Sequence, residues 1–149
     1  PARCAEGVPE LLRNGQPVRV DLTYRQLTDA EHVMVSAAAV SKPQLNAELC
    51  APGRFVAMPS IAYRLARVAA GDGLCAVSLY PVSAHDVVAG HALLRASGGT
   101  LVNQDGVEIT YRTAAAMSAA SERCFGGAPQ ACETLLVRDW QRLLSNDAS

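Results

Sequence analysis

Apolar residues along the chain fall into two patterns, short continuous runs and longer stretches with helical spacing. The continuous runs cover residues 31–39, 53–57 and 74–79, and each has the length and composition of a buried strand. The longer stretches follow the second and third runs. Strands and helices in this order predict an α/β fold, a layered mixed β-sheet with helices packed on its faces.

The first helical stretch covers residues 58–71. Its apolar residues recur at helical spacing and predict an amphipathic helix that Gly71 ends, with Arg64 and Arg67 on the side facing solvent. The apolar stripe consists of Ile61, Leu65 and Val68.

The second helical stretch begins near Ser83 and is ended by Gly98 and Gly99. Asp86 lies in its first turn, where unpaired N–H groups and the positive end of the helix dipole stabilise a carboxylate. The apolar face is broad enough for a largely buried helix and contains Val87, Val88, Leu94 and several alanines.

Weaker patterns cover the rest of the chain. Asn14-Gly15 predicts a turn beside a strand at residues 18–20, and a proline in the first turn predicts a helix over residues 43–50. Residues 100–103 and 107–110 predict a hairpin, and residues 122–125 weakly predict a strand. Residues 130–144 predict one helix anchored by Trp140, whereas residues 111–121 fit either a loop or a short helix.

Composition and charge narrow the function classes. Half of the 149 residues are hydrophobic and 18% are charged, which favours one folded domain over disorder. A formal net charge of −1 gives no basic surface for nucleic acid or an anionic membrane, and no apolar run is long enough to cross a bilayer. The five cysteines form no Cys-x-x-Cys pair, and without a signal peptide they are expected to be reduced thiols in a cytoplasmic protein.

Two segments, His85-Asp86-x-x-Ala89-Gly90 and Ala96-Ser97-Gly98-Gly99, resemble the second signature of the inositol monophosphatase superfamily. That signature reads Trp-Asp-x-Ala-Ala-Gly and ends in Glu-Ala-Gly-Gly. The resemblance implies a Mg²⁺-dependent, Li⁺-sensitive phosphomonoesterase in which Asp86 is the catalytic and metal-binding carboxylate and helps to position the attacking water. It also implies that His85 fills the pocket that tryptophan closes in the family.

The resemblance extends to substrate contacts at two further places. Residues 59–71 are similar to a family segment, Gly-Ser-Ala-Ala-x-x-x-x-x-Val-Ala-x-Gly, whose helix N-terminus contacts substrate hydroxyls, which implies substrate binding by Ser60, Ile61 and Ala62. N-capping is an equally good interpretation of Ser60. Ser41 and Lys42 occupy a strand end that faces the substrate in the family, but capping of the helix over residues 43–50 is the favoured role for Ser41.

The resemblance also implies metal ligands outside this sequence. In the family an N-terminal lobe carries a Glu and an Asp-Pro-x-Asp-Gly-Thr segment, and these residues contain neither Asp-Pro nor Asp-Gly-Thr. We therefore expect residues 1–149 to form a single domain equivalent to the C-terminal lobe, with an incomplete Mg²⁺ site and the N-terminal lobe as a missing partner. An apolar face left where that lobe would pack predicts a homo-oligomer such as a dimer.

Two functions follow from these observations. The first is a phosphomonoesterase that acts on a small sugar, inositol or nucleotide phosphate, with this chain supplying the substrate lobe and one metal ligand. Inositol monophosphate is a weaker candidate, because Ser78 or Leu79 replaces a hydroxyl-binding Glu of the family. The alternative is a non-catalytic fragment, or an interaction or regulatory domain derived from that family.

Overall fold

The computed structural model describes residues 4–5, 8–9, 12–17, 20–112 and 122–144. The predicted strand at residues 18–20 falls mainly outside the described residues, as does most of the ambiguous segment 111–121. The predicted turn is confirmed, because Asn14 (φ 53°) and Gly15 (φ 78°) both adopt left-handed conformations between two strands. The first strands form two antiparallel pairs, β1 (Cys4–Ala5) with β2 (Val8–Pro9) and β3 (Leu12–Arg13) with β4 (Gln16–Pro17).

A five-stranded mixed sheet forms the centre of the described structure, in the order β6-β5-β7-β9-β8. The first three strands in this order are parallel, and β9 runs antiparallel to both of its neighbours. The register places Met34 of β5 beside Val56 on one side and Ala76 on the other. The strands are β5 (His32–Val35), β6 (Arg54–Ala57), β7 (Cys75–Ser78), β8 (Thr100–Asn103) and β9 (Cys124–Gly127).

Helices connect the strands and cover the sheet. The connection through α1 leads from β5 to one neighbour, and the connection through α2 crosses back over β5 to the other. Because parallel crossovers are right-handed, α1 and α2 lie on opposite faces of the sheet. The helices are α1 (Pro43–Cys50), α2 (Ile61–Ala69), α3 (Ala84–Ala96), α4 (Pro129–Leu136) and α5 (Gln141–Leu144). The predicted α/β fold is therefore confirmed.

The hydrophobic core lies between the sheet and the helices, with β7 buried along its whole length. Leu65 of α2 is fully buried and lies against α3 at Gly90 and against β9 at Gly126. Trp140 is also fully buried, with its ring centroid 6.0 Å from that of Phe125, which confirms it as the anchor of the C-terminal segment.

Three predicted elements need correction. The run over residues 31–39 is a strand only to Val35, because the Ser36 side chain accepts a hydrogen bond from the Ala38 N–H and caps a 3-10 helix, Ala37–Ser41. The predicted helix over residues 130–144 is two helices, α4 and α5, since the Trp140 indole N–H donates to the carbonyl of Leu135 and turns the chain there. The second hairpin strand is a single bridge at Glu108.

Within the described residues, every helix falls short of the length and apolar character that a membrane crossing requires.

Candidate functional site

The carboxyl ends of three strands meet at one edge of the sheet, because β5, β6 and β7 are parallel. The segments that leave these ends begin with Ser36, with Ser60 at the start of α2, and with the loop that leads to Asp86 in α3. Connections from β5 and β7 depart in opposite directions along the sheet, so a crevice is expected between them, the usual place for ligands in open α/β sheets. The predicted site residues all follow these strand ends.

Asp86 is held in the first turn of α3 by its own helix start. Its Oδ2 accepts hydrogen bonds from the Ser83 N–H (2.9 Å) and the Ser83 hydroxyl (3.0 Å), and the Asp86 N–H donates to the Ser83 carbonyl (3.1 Å). These hydrogen bonds from the Ser83 backbone and side chain lower the pKa of Asp86 below its ordinary value. The carboxylate is exposed and ionised at neutral pH.

The Asp86 carboxylate has the chemistry of one ligand of a hard cation such as Mg²⁺. Both of its hydrogen bonds within the described residues go to Oδ2, which leaves Oδ1 as an available oxygen donor. Mg²⁺ prefers carboxylate and carbonyl oxygens and is usually held by more than one protein or substrate donor. The described residues contain no cluster of three or more acidic, histidine or cysteine side chains that would complete such a site.

Ser60 is the N-cap of α2, which confirms the capping interpretation. Its side chain accepts a 3.4 Å hydrogen bond from the Tyr63 N–H, and its backbone has a left-handed φ of 61°. The N–H groups of Ile61 and Ala62 have no acceptor among the described residues, so the first turn of α2 retains free donors. Free donors at a helix N-terminus suit a hydroxyl or an anion.

Ser41 and Lys42 do not cap α1 with their side chains. Ser41 ends the 3-10 helix, and its hydroxyl donates to the Ala38 carbonyl at 2.9 Å, so the predicted capping role of Ser41 is wrong. Lys42 is the N-cap residue, but it makes no side-chain capping bond; its Nζ donates to the carbonyl of Leu143 at 3.2 Å. This contact places the amine against the C-terminal helix α5.

Ser41 and Lys42 line a cavity of about 270 Å³ at the carboxyl ends of β5 and β7. The cavity has apolar walls from the sheet and the C-terminal segment, with polar groups between them. Ser60, Ile61, Ala62 and Asp86 are not among its lining residues. The polar and charged lining residues are Ser36, Ser41, Lys42, Asn46, Arg64, Ser78 and Tyr80.

Arg64 is the site residue that the sequence pattern misplaced. It was expected on the solvent side of α2, but it is 5% exposed and lines the cavity. The spacing itself contains the signal: Arg64 lies three residues after Ile61 and four before Val68, so it belongs to the same face as the apolar stripe. Ser36 and Ser78 were also missed, although each lies where a buried strand ends.

The predicted role of His85 is also wrong. The side chain is exposed on the first turn of α3 and fills no interior pocket among the described residues. Ala84, the preceding residue, is the buried one, because the helix start turns position 85 outward. His85 adds only a small effect on the pKa of Asp86, which it lowers electrostatically.

No protein-family model matches the sequence, and no curated protein shows significant similarity to it. Several solved structures, in contrast, are similar to this chain. The chain is similar to SaIMPase-II of Staphylococcus aureus with inositol monophosphate bound (TM-score 0.65, 18% identity, 89% of this chain and 49% of that one). It is also similar to the Thermotoga maritima IMPase, with a TM-score of 0.65 and 18% identity over 89% of this chain and 48% of that one. The extragenic suppressor protein SuhB of Bartonella henselae is similar too, with a TM-score of 0.62 and 19% identity over 96% of this chain and 51% of that one.

These structures share the fold of the chain over nearly all of its length, which confirms the resemblance to inositol monophosphatases at the level of the fold. The chain spans about half the length of these solved structures, with 48–51% of each one covered.

Proposed function

We propose that this chain is the substrate lobe of a Mg²⁺-dependent phosphomonoesterase of the inositol monophosphatase type. Its substrate would be a small sugar, inositol or nucleotide phosphate, and the other metal ligands would come from a segment outside these residues. The observation that carries the proposal is the ionised Asp86 carboxylate, which follows a parallel strand end on the fold shared with those enzymes.

Each predicted residue has a proposed role. Asp86 would hold one Mg²⁺ through its available Oδ1 and orient a water molecule, while Ser83 keeps the carboxylate ionised. The N–H groups of Ile61 and Ala62, which have no acceptor among the described residues, would donate hydrogen bonds to substrate oxygens, and Ser60 fixes the helix start that presents them. The bound metal would supply charge neutralisation and an activated water.

A phosphate-bearing substrate is supported by the solved neighbours as well as by the site. One similar structure contains inositol monophosphate and another contains 2′-AMP, so the fold accommodates both a cyclitol and a nucleotide phosphate. In this chain Leu79 follows β7 and lines the cavity, and its apolar side chain cannot accept hydrogen bonds from sugar hydroxyls. A substrate with fewer hydroxyls near this strand end is therefore favoured.

The alternative is a non-catalytic domain of the same fold, with an interaction or regulatory role. It is favoured by the donor set of the described residues, in which Asp86 has no acidic cluster around it. The phosphatase hypothesis and the non-catalytic alternative both predict negligible turnover by this chain alone. They differ in whether the protein encoded by the whole open reading frame is an active phosphatase.

The test is Mg²⁺-dependent phosphate release from inositol monophosphate, 2′-AMP and a sugar phosphate. We expect negligible turnover by the chain alone and turnover by the product of the whole open reading frame. In the latter, Asp86→Asn should lower kcat by about 100-fold or more, since removing a group that stabilises the transition state typically has this effect. Asp105→Asn is the matched control, because Asp105 is an exposed acid in a turn.

Two results would contradict the proposal. One is phosphate release by the chain alone that Asp86→Asn leaves unchanged. The other is an inactive product of the whole open reading frame that binds no Mg²⁺, which would favour the non-catalytic alternative.

A further inference from the structure

Four of the five cysteines are buried free thiols in the described part of the chain, and none of the four lines the cavity of the proposed phosphatase site. Two of these thiols are in contact, since the Sγ atoms of Cys75 in β7 and Cys132 in α4 lie 3.8 Å apart. The two residues are 57 positions apart in the sequence, so only folding brings them together. The other two thiols belong to Cys50 and Cys124.

The backbone around Cys75 and Cys132 holds the two thiols together. Cys75 is paired with Gly127 at the end of β9, and the N–H of the next residue, Ala128, donates to the Leu74 carbonyl at 2.9 Å. Gly127 allows this close approach, because a Cβ atom there would lie 2.1 Å from the Leu74 carbonyl oxygen. Since α4 begins immediately afterwards, Cys132 in its first turn is held beside the start of β7.

Burial determines how these two thiols can react. Cys75 is 0% exposed and Cys132 is 1% exposed, so a bulky oxidant cannot reach either sulfur in the folded chain. The hydrogen bond with the Cys132 thiol, together with burial, raises the pKa of the Cys75 thiol well above its ordinary value. Because the thiolate is the nucleophilic form of cysteine, Cys75 is poorly suited to attack an oxidant first.

We propose that Cys75 and Cys132 are a redox-active pair, which a small hydroperoxide converts into a disulfide within the folded protein. Side-chain rotation has to close the distance between the Sγ atoms from 3.8 Å to the bond length of about 2.05 Å. The bond closes a loop that contains α3, but its formation requires neither Mg²⁺ nor turnover. Where thiols are normally kept reduced, disulfides are usually transient and redox-sensing, which is the class to which this pair belongs.

The reaction with hydrogen peroxide has two steps. In the first, the Cys132 sulfur attacks one peroxide oxygen, the O–O bond breaks, and the thiol proton leaves with the other oxygen as water, so that Cys132 becomes a sulfenic acid. In the second, the Cys75 sulfur attacks the Cys132 sulfur, the S–S bond forms, the S–O bond breaks, and a second water leaves with the Cys75 proton. Two thiols together lose two electrons and two protons, and one peroxide is reduced to two waters.

Peptide mapping after treatment of the folded chain with hydrogen peroxide tests the pair, in a Cys4→Ser background that removes the fifth cysteine. Remaining thiols are blocked with iodoacetamide in denaturant before digestion. We expect the loss of two thiols and one disulfide-linked peptide pair that joins Cys75 to Cys132. Trypsin leaves Cys124 and Cys132 in one peptide, because no lysine or arginine separates them, and added chymotrypsin divides them after Phe125.

Thermal unfolding reports whether the disulfide fits the native fold. A disulfide between positions this far apart restricts the unfolded chain, so oxidation should raise Tm by about 5–15 °C, and dithiothreitol should reverse the rise. Glutathione disulfide, which is much larger than hydrogen peroxide, should form the bond far more slowly, because both sulfurs are buried.

Variants assign the bond to its two cysteines. Cys75→Ala and Cys132→Ala should each abolish both the linked peptides and the rise in Tm. Cys124→Ala is the matched control, since Cys124 is equally buried on the neighbouring strand β9, and it should retain both.

Four results would overturn the inference: retention of all thiols, a disulfide through Cys50 or Cys124, a sulfinic acid without a disulfide, or a Tm lowered by oxidation. If an alanine variant does not fold, the peptide map decides, because it needs neither substitution in the pair.

Discussion

Gly90 of α3 lies directly against Leu65 of α2, so closely that a Cβ atom at position 90 would be 2.6 Å from the Leu65 Cβ. The absent side chain allows the two helices to pack on each other over one face of the sheet. The first turns of the same helices carry Ser60 and Asp86, so this contact sets the spacing of the proposed substrate and metal groups.

Gly90→Ala should destabilise the protein. The added methyl group overpacks the helix contact at a typical cost of about 1–3 kcal/mol, and the higher helix propensity of alanine offsets about 1 kcal/mol. We expect the net loss to lower Tm by a few degrees in thermal unfolding. The reverse change at the exposed Ala92 of the same helix, Ala92→Gly, calibrates the propensity contribution, and a Gly90→Ala protein with a higher Tm would contradict the close contact.

Ser83→Ala should raise the pKa of Asp86 part of the way to its ordinary value. The hydroxyl bond to Oδ2 is lost, whereas the stronger influence, the bond from the Ser83 N–H, remains. The loss of the N-cap side chain should also cost about 0.5–2 kcal/mol of the free energy of unfolding. A pH titration of the Asp86 carboxyl carbon by NMR measures the pKa, with Ser41→Ala as control.

The stability lost in Ser83→Ala should depend on pH with a defined sign. Because folding lowers the pKa of Asp86, its stabilising contribution is present above the unfolded value of about 4 and is lost as the pH falls through the folded value. The stability difference between the original chain and Ser83→Ala should therefore shrink between roughly pH 6 and roughly pH 3 in denaturant titrations. A difference that grows on acidification would show that Asp86 is not the partner of Ser83.

Two substitutions of Trp140 should separate its hydrogen bond from its volume. Trp140→Phe removes the 2.7 Å bond to the Leu135 carbonyl and should cost about 1 kcal/mol, since the Arg138 N–H still donates to that carbonyl. Trp140→Ala leaves a cavity beside Phe125 and should cost about 3–5 kcal/mol. Denaturant unfolding measures both, and Tyr24→Ala, at an 82% exposed position, should change stability by less than about 0.5 kcal/mol.

Most of the fold could be predicted from the sequence, because the buried strands are continuous apolar runs. The two long helices were also predictable, since their apolar residues recur at helical spacing and glycines mark where they end. It failed where one polar atom redirects the backbone. The Ser36 hydroxyl ends β5 four residues early, and the Trp140 indole interrupts the last helix. Neither hydrogen bond has a counterpart in hydrophobic periodicity, which registers burial and not local polar partners.

The site was predictable only in its backbone positions. The first turns that carry Ser60 and Asp86 follow from strand ends and helix starts, which local patterns reveal. The cavity depends on side chains from α1, α2 and the C-terminal segment that meet only after folding. Arg64 was misplaced for this reason: its charge indicated solvent, whereas its position in the helical repeat indicated the core.

The position of β6 at the edge of the sheet limits how the chain can associate with others. Within the described residues β6 pairs with β5 alone, which leaves its other side as a possible docking edge for a foreign strand. Pro52 precedes β6 and Pro59 follows it, and proline offers no N–H for a ladder. A recruited strand could therefore extend along only four residues, Arg54–Ala57, which is a poor nucleus for aggregation.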